Sequence, residues 1–232
     1  MIPPRASVVV LAKAPLPGAV KTRMCPPLRP AEAAELAASM LADVLEATAA
    51  MAARLGLRPV LAVHPPERRA ALARDAPSPF CVVSQRGPDL AARMAWAVRE
   101  AVASGAPRVL LRGSDSPTLD LAALEAALAA LEAVDVVLRP DLDGGYNLVG
   151  LRRAEPRLFD HPMSTSRVLE DTCARARELS LSVALLAPGF DVDTARDLAL
   201  LARERARAAP LCARTLAFLD RSGLWRHAGR AC

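Results

Sequence analysis

The chain has 232 residues, 53% of them hydrophobic and 24% charged, with 30 Lys and Arg against 25 Asp and Glu. That composition excludes a disordered chain and leaves enough length for a sizeable core. The net charge of +5 does not mark a nucleic-acid binder: residues 1–195 hold 22 basic and 22 acidic side chains, the excess lies entirely in residues 196–232, and aromatics at 3% are too sparse for base-stacking platforms.

Apolar runs of strand length alternate with helical patterns along the chain. Residues 7–12 are continuous and β-branched (Val8-Val9-Val10), as a parallel strand buried on both faces is. A loop rich in Pro and Gly follows at 13–30, then a helix over 31–54 that the Leu55-Gly56 pair stops. Strand 59–64 and a short helix over 66–74 come next, then strand 80–84 and a helix over 89–103. Strand 108–112 leads through the loop 113–118 into a helix over 119–131. Strands at 134–138 and 146–151 flank a turn at 141–145. A helix over 164–178, a strand at 181–186, a helix over 194–207 and a last helical piece over 210–220 complete the series.

This alternation predicts an α/β fold: one domain with a mixed, mostly parallel sheet and helices on both faces. Residues 1–200 are read as the domain, and 201–232 as a basic helical extension packed on it. The alanine-rich run from Ala31 to Ala53 carries Glu32, Glu35, Asp43 and Glu46. No stretch approaches the roughly 18 uncharged apolar residues of a membrane span, so a cytoplasmic protein is expected. Cys25, Cys81, Cys173, Cys212 and Cys232 form no C-x-x-C pair, and His64, His161 and His227 lack metal-ligand spacing. Reduced thiols and no structural zinc are the expectation.

In open α/β sheets ligands bind at the carboxyl ends of the strands, which directs attention to the loops there. The loop after the first strand holds Lys13, Gly18, Lys21, Thr22, Arg23 and Arg29, with no acid between Lys13 and Arg29. Four cations so close repel one another unless an anion compensates, and ammonium with guanidinium suits a di- or triphosphate. Gly18 lets the backbone approach such a ligand. Lys13 and Lys21 are the only lysines against 28 arginines, which suggests that a compact ammonium is wanted there. Val20 before Lys21 and the missing upstream glycine exclude a Walker A loop, and no G-x-G-x-x-G is present.

The loop Gly113-Ser114-Asp115-Ser116-Pro117-Thr118 delivers Asp115 to the sheet edge, where a carboxylate facing a phosphate loop is suited to hold Mg²⁺ or Mn²⁺. Ser116, Thr118 and Asp120 are at least as well placed to cap the next helix. The turn Asp141-Leu142-Asp143-Gly144-Gly145 is followed by the only tyrosine, Tyr146, and by Asn147, with Asp143 a candidate general base or sugar-hydroxyl acceptor. In Phe190-Asp191-Val192-Asp193-Thr194, carboxylates at i and i+2 on a strand end point the same way. They add a second metal contact on one reading; on the other, Asp193 or Thr194 caps the following helix.

The ordered set LAKAPLPGAVKTRM (11–24), QRGPDLAARM (85–94), GSDSPTL (113–119), DLDGGYNLVGL (141–151), STSRVLEDT (164–172) and DVDTARDL (191–198) resembles a bacterial family of GT-A-like glycosyltransferases of the arsenosugar-biosynthesis type. It is more distantly similar to the phospholactate guanylyltransferases, which share the lysine/arginine loop and the terminal Asp-x-Asp-Thr element. The likeness spans about residues 7–200. It implies a nucleotide-diphospho-sugar transferase-like fold, a divalent metal and a nucleotide substrate. Carried over residue by residue, Lys13, Lys21 and Arg23 bind phosphates, with Gly18, Thr22 and Ser114 beside them. Asp115 ligates the metal, with Asp193 near it. Asp143, Gly144, Gly145, Tyr146, Asn147, Ser164 and Thr165 line the transfer site. Met163 stands where the family usually has tryptophan, and Ala92 or its neighbour where it has glycine, so a different acceptor pocket is expected.

The resulting expectation is a metal-dependent transferase that moves a sugar from a nucleotide sugar to a small acceptor. Lys21 and Arg23 stabilise the departing diphosphate, and Asp143 deprotonates the acceptor hydroxyl if the reaction inverts. The alternative is a nucleotidylyltransferase, joining a nucleoside triphosphate to a phosphorylated small molecule and releasing pyrophosphate. The density of cations after the first strand favours it. A non-catalytic nucleotide-binding protein is a third reading, which the intact Asp115 loop and both lysines oppose.

Overall fold

The computed structural model describes residues 4–228; Arg230 and Cys232, counted above, lie outside them. In chain order the elements are β1 (Ser7–Lys13), α1 (Pro30–Leu55), β2 (Arg58–His64), α2 (Arg69–Asp75), β3 (Cys81–Ser84), α3 (Leu90–Ala103), β4 (Val109–Gly113), α4 (Leu121–Ala130), β5 (Val136–Pro140), β6 (Tyr146–Leu151), α5 (Val168–Glu178), β7 (Val183–Leu185), α6 (Asp197–Arg203), α7 (Arg205–Ala208) and α8 (Ala213–Ser222). The strands form one seven-stranded sheet in the order β3-β2-β1-β4-β6-β5-β7. Only β6 runs antiparallel to its neighbours, β4 and β5. The expected mixed, mostly parallel sheet with helices on both faces is therefore the fold.

Alternation along β1 assigns the faces. Val10 and Ala12 pack with Leu41, Val44 and Leu45 of α1, while Val9 packs with Met94, Ala97 and Val98 of α3 on the other side. Both faces are covered, which is why the strand reads as an unbroken apolar run. Pro30 opens α1, and Gly56 closes it in the left-handed conformation (φ 65°). Of the helices described, α1 is the one long and apolar enough to cross a membrane; half of that stretch is buried within the fold.

Several boundaries differ from the sequence reading, most of them by two or three residues. The helix expected from residue 164 begins at Val168, because Ser164 takes a left-handed conformation (φ 64°) and Thr165 Oγ1 accepts from Arg167 N in a turn. The helix expected over 194–207 is two pieces, broken at Glu204. The last helical piece, expected over 210–220, begins three residues later at Ala213 and ends two residues later at Ser222.

The C-terminal helices are tied to the sheet domain from outside. No side chain of its own caps α8; instead Asp43, buried in mid-α1, accepts from Thr215 N (2.7 Å), Thr215 Oγ1 (2.8 Å) and Arg214 N (3.1 Å). Arg207 pairs with Asp120 (2.6 Å), Arg205 with Asp220 (2.7 Å) and Arg221 with Glu35. One apolar cluster joins Met24 and Leu28 of the first loop, Val192, and Leu198, Leu201, Phe218 and Leu219 of the C-terminal helices. The cation loop and the Asp191–Asp193 segment thus rest on the same packed block.

Candidate active site

The carboxyl ends of β1, β3 and β4 and the turn after β5 surround a cleft of about 780 Å³. It receives Lys13, Lys21, Thr22 and Arg23 from the first loop, and Ser114 and Asp115 from the loop after β4. Asp141, Asp143, Gly145, Tyr146 and Asn147 come from the β5–β6 turn, Ser164 and Thr165 from the loop before α5, and Asp191 and Asp193 from the segment after β7. Segments scattered over 180 residues meet because six strands point their carboxyl ends the same way.

At the centre is Lys21, in a left-handed conformation (φ 48°), with a side chain only 3% exposed. Its ammonium donates to Val192 O (2.9 Å) and Asp193 Oδ1 (2.8 Å) and pairs with Asp115 Oδ1. Burial alone would lower its pKa; the charges of Asp115 and Asp193 outweigh burial and hold it above the ordinary lysine range. Arg23, 63% exposed, reaches Asp193 Oδ2 at 3.7 Å. The anions compensating this part of the cation loop are the chain's own, and the two carboxylates expected around a metal converge on one ammonium. Among the described residues, no three Asp, Glu, His or Cys side chains gather as a ready metal-holding group.

Asp191 differs from its neighbour at i+2. The segment is not a strand end: Asp191 turns inward and accepts from the Ser116 hydroxyl, while Asp193 meets Lys21. Burial, reinforced by the charges of Asp115 and Asp141, pushes its pKa up to about 8. Neither Asp193 nor Thr194 caps a helix. Asp197 instead accepts from Asp193 N, Thr194 N and Thr194 Oγ1, holding the segment in place. Asp120 caps α4 by accepting from Ala123 N (3.0 Å), which leaves Asp115 free of that duty. Beneath the cluster lies Arg112 of β4, fully buried, donating to Thr48 Oγ1 and Ser116 O; burial lowers its pKa to about 10, offset in part by Asp191.

The β5–β6 turn forms the opposite wall. Asp143 is exposed, and its Oδ1 accepts from Gly145 N (2.9 Å). Gly144 (φ 91°) sits so close to the Ser166 carbonyl that any Cβ there would collide with it. Its own carbonyl accepts from Leu169 N (3.0 Å), so the turn is docked on the loop bearing Ser164 and Thr165. Asn147 donates to Asp141 Oδ2 (3.2 Å) and accepts from Arg139 Nη1 (2.8 Å). Tyr146 lines the cleft with its hydroxyl 3.4 Å from Thr172 Oγ1, which lies 2.9 Å from His161 Nε2. Gly18 has left-handed φ (78°) with open space around its Cα. Lys13 is exposed at the end of β1.

Sequence reasoning assigned no role to Gln85, Arg93, Arg112, Arg139 or Asp141, all placed in or under the cleft. Gln85 and Arg93 stand within the quoted stretch 85–94, so a signal was present without a chemical reading. Arg112 and Arg139 lie within apolar strand patterns, where a single arginine is easily read as a strand edge.

The strand order and the position of the cleft define a single-domain α/β protein with the nucleotide-diphospho-sugar transferase-like fold. The chain belongs to the bacterial family described as "Uncharacterized protein conserved in bacteria (DUF2064)", whose model matches residues 47–166. It is similar to a protein of Desulfovibrio desulfuricans G20 provisionally named a nucleotide-diphospho-sugar transferase, with 29% identity, 96% of this chain and 97% of the other covered, and a TM-score of 0.83. A cytidylyltransferase of Leptospira borgpetersenii serovar Hardjo-bovis shares the fold at 9% identity, covering 99% and 98%, with a TM-score of 0.58. So does 4-diphosphocytidyl-2C-methyl-D-erythritol synthase of Anaerococcus prevotii DSM 20548, at 7% identity, covering 90% and 97%, with a TM-score of 0.54. No curated protein matches the chain.

Proposed function

We propose that the protein is a transferase using a nucleotide-activated donor, and specifically one that moves a sugar from a nucleotide sugar to a small acceptor with the help of Mg²⁺ or Mn²⁺. The observation that carries this reading is the convergence of Asp115 and Asp193 on one cation position, beside Arg23 and Lys13, in a cleft large enough for a nucleotide sugar. The likeness to the Desulfovibrio protein supports the same substrate class.

The donor set suits a divalent ion. Mg²⁺ is commonly held by one or two carboxylates and completed by water and substrate phosphate oxygens. Asp115 and Asp193 together carry one more negative charge than Lys21 neutralises, while Asp191, its pKa pushed up to about 8 chiefly by burial, adds little at neutral pH. Asp115 and Asp193 would hold the ion, which would supply charge neutralisation at the diphosphate. The chain's own residues do the rest. Arg23 and Lys13 bind phosphate oxygens, Ser114 lies beside them, and Lys21 stabilises charge on the departing diphosphate. Asp143, at the solvent side of the opposite wall, takes the proton of the acceptor hydroxyl if the reaction inverts. Ser164, Thr165, Tyr146 and Asn147, with Gly144 and Gly145, shape the acceptor side.

Nucleotidyl transfer is the second reading. Its physical argument was the number of cations facing a triphosphate. In the fold, Arg29 pairs with Glu32 and is not among the cleft-lining residues, which leaves Lys13, Lys21 and Arg23 as the cations of that loop at the cleft, one fewer than the triphosphate argument counted. Incubating the protein with Mn²⁺ and either nucleotide sugars or nucleoside triphosphates plus phospho-acids separates the two. Free nucleoside diphosphate from the sugar nucleotides is the expected product; pyrophosphate from the triphosphates overturns glycosyl transfer.

A further inference from the structure

Leu11 of β1, Leu90 at the start of α3, Tyr146 at the start of β6 and Met163 before α5 are each half-buried, and each packs on one core cluster that includes Met94, Leu111 and Val149. All four line the cleft, so the surface that the core leaves uncovered borders it. Alternation along β4 puts Gly113 on the same face as Leu111, and Gly113 stands in register with Leu11. Gly113 carries no side chain, so the sheet face is open beside Leu11. Segments far apart in the chain thus enclose an apolar hollow in the cleft wall.

The polar side chains around the hollow are engaged with the protein itself. The Tyr146 hydroxyl lies 3.4 Å from Thr172 Oγ1, which is fully buried and outside the cleft lining, so the cleft is offered the ring and not the hydroxyl. Asn147 is held at both ends of its amide, by Asp141 Oδ2 and Arg139 Nη1, and Thr165 Oγ1 accepts from Arg167 N (3.2 Å). On the α3 side, Gln85 Nε2 donates to Ala62 O (2.8 Å) and Ala12 O (3.2 Å), and Arg93 Nε to Asp89 O (3.0 Å). Asp143 is the exception. It is exposed, its Oδ1 accepts from Gly145 N, and its Oδ2 accepts no hydrogen bond among the described residues. An apolar hollow with one open carboxylate in the adjoining turn complements a molecule with an apolar body and one hydroxyl.

We propose that this hollow takes the body of the acceptor, and that the acceptor is an apolar alcohol, a hydroxyl carried on an aromatic or aliphatic group, and not a sugar or a phosphorylated acid. The inference rests on the glycosyl-transfer reading of this cleft. Burying the apolar body against Leu11, Leu90, Tyr146 and Met163 removes apolar surface from water on both sides, which favours binding in proportion to the area. A polyol or a phospho-acid in the same place sets hydroxyls or charge against apolar side chains, where they lose water and gain no partner. In an inverting transfer the acceptor oxygen bonds the anomeric carbon of the donor sugar. The bond from that carbon to the diphosphate breaks, its electron pair leaves on the nucleoside diphosphate, and the hydroxyl proton passes to Asp143.

The test is a titration of the full chain, followed by ligand-observed NMR, with benzyl alcohol, glucose and glycerol 3-phosphate. Each is added with Mg²⁺, alone and beside the common nucleoside diphosphate that binds tightest. Benzyl alcohol is expected to bind at least about tenfold tighter than the other two, with the nucleoside diphosphate in place. Met163→Ser removes apolar surface and Gly113→Ala fills the hollow, and each is expected to weaken benzyl alcohol by about threefold or more. A Cβ at Gly113 meets nothing nearer than Asp115 N at 3.8 Å, so that variant is expected to melt like the parent. Nucleoside diphosphate affinity should not change in Met163→Ser. Glucose or glycerol 3-phosphate binding as tightly as benzyl alcohol, no binding of benzyl alcohol, or unchanged affinity for it in both variants overturns the inference. Benzyl alcohol displaced by the nucleoside diphosphate gives the hollow to the nucleotide, which overturns the acceptor assignment and leaves the nucleotide site standing. If no nucleoside diphosphate binds, the nucleotide reading falls and the acceptor assignment with it.

Discussion

Lys21 and Asp193, 172 positions apart in the chain, meet at 2.8 Å, and Asp115 closes on the same ammonium from the neighbouring loop. This contact joins the cation loop after the first strand to the acidic loops after the fourth and seventh. It also makes Lys21 and a divalent ion rivals for the same carboxylate oxygens.

Lys21→Met tests that rivalry. Removing one member of a fully buried pair costs about 3–5 kcal/mol; the carboxylates here are 43% and 33% exposed, so a loss nearer about 2 kcal/mol is expected in urea unfolding. Mn²⁺ affinity should rise, because the competing ammonium is gone, while transfer activity is lost. Weaker Mn²⁺ binding in this variant would show that Lys21 and the metal do not share the site.

Asp191 sets a pH dependence of stability. Its folded-state pKa, about 8, lies above the ordinary 3.8, so between those values the folded chain holds a proton that the unfolded chain has released. The contribution of Asp191 to stability therefore falls as pH rises from about 4 to about 8 and levels off above. Asp191→Asn keeps an acceptor for Ser116 and removes the titration. Without divalent ions it should melt roughly 5 °C higher than the parent at pH 8 and alike near pH 4. Melting profiles that run parallel across this range count against the assignment.

Gly144→Ala addresses the acceptor wall. The added Cβ meets the Ser166 carbonyl, and the left-handed φ of 91° is strained for any other residue. A loss of about 2–4 kcal/mol is expected, with KM for the acceptor raised more than KM for the donor. Equal effects on both substrates would place the acceptor elsewhere.

Asp43→Ala tests the tie between α1 and α8. It strips the cap from α8 and leaves Thr215 N and its hydroxyl without their buried partner, at a cost of about 2–3 kcal/mol. Limited proteolysis should then cut first in the C-terminal helices. An unchanged cleavage pattern would mean that the apolar cluster alone holds them.

Much of this was legible in the sequence. β-branched runs fixed the strands, and the position of the loops at strand ends fixed where chemistry could occur. Lys21, Asp115 and Asp193 were each singled out, but not as partners, because their meeting depends on strand order, which local patterning does not specify. α5 starts later than local pattern suggests because helix-compatible residues at 164–167 are held in a turn by docking against Gly144. The difference between Asp191 and Asp193 was hidden because it arises from burial under Ser116 and not from spacing. The +5 charge lost its significance as a partner signal: Arg205, Arg207, Arg214 and Arg221 pair with acids of the fold itself.

The most direct test is calorimetric titration of the common nucleoside diphosphates into the protein with and without Mn²⁺, repeated on Asp115→Ala with whichever binds tightest. Binding that needs Mn²⁺ and falls by about a hundredfold in the variant is expected, since a charge-assisted contact to metal and diphosphate is lost. Unchanged affinity in Asp115→Ala, with Mn²⁺ present, would contradict the assignment of this cleft.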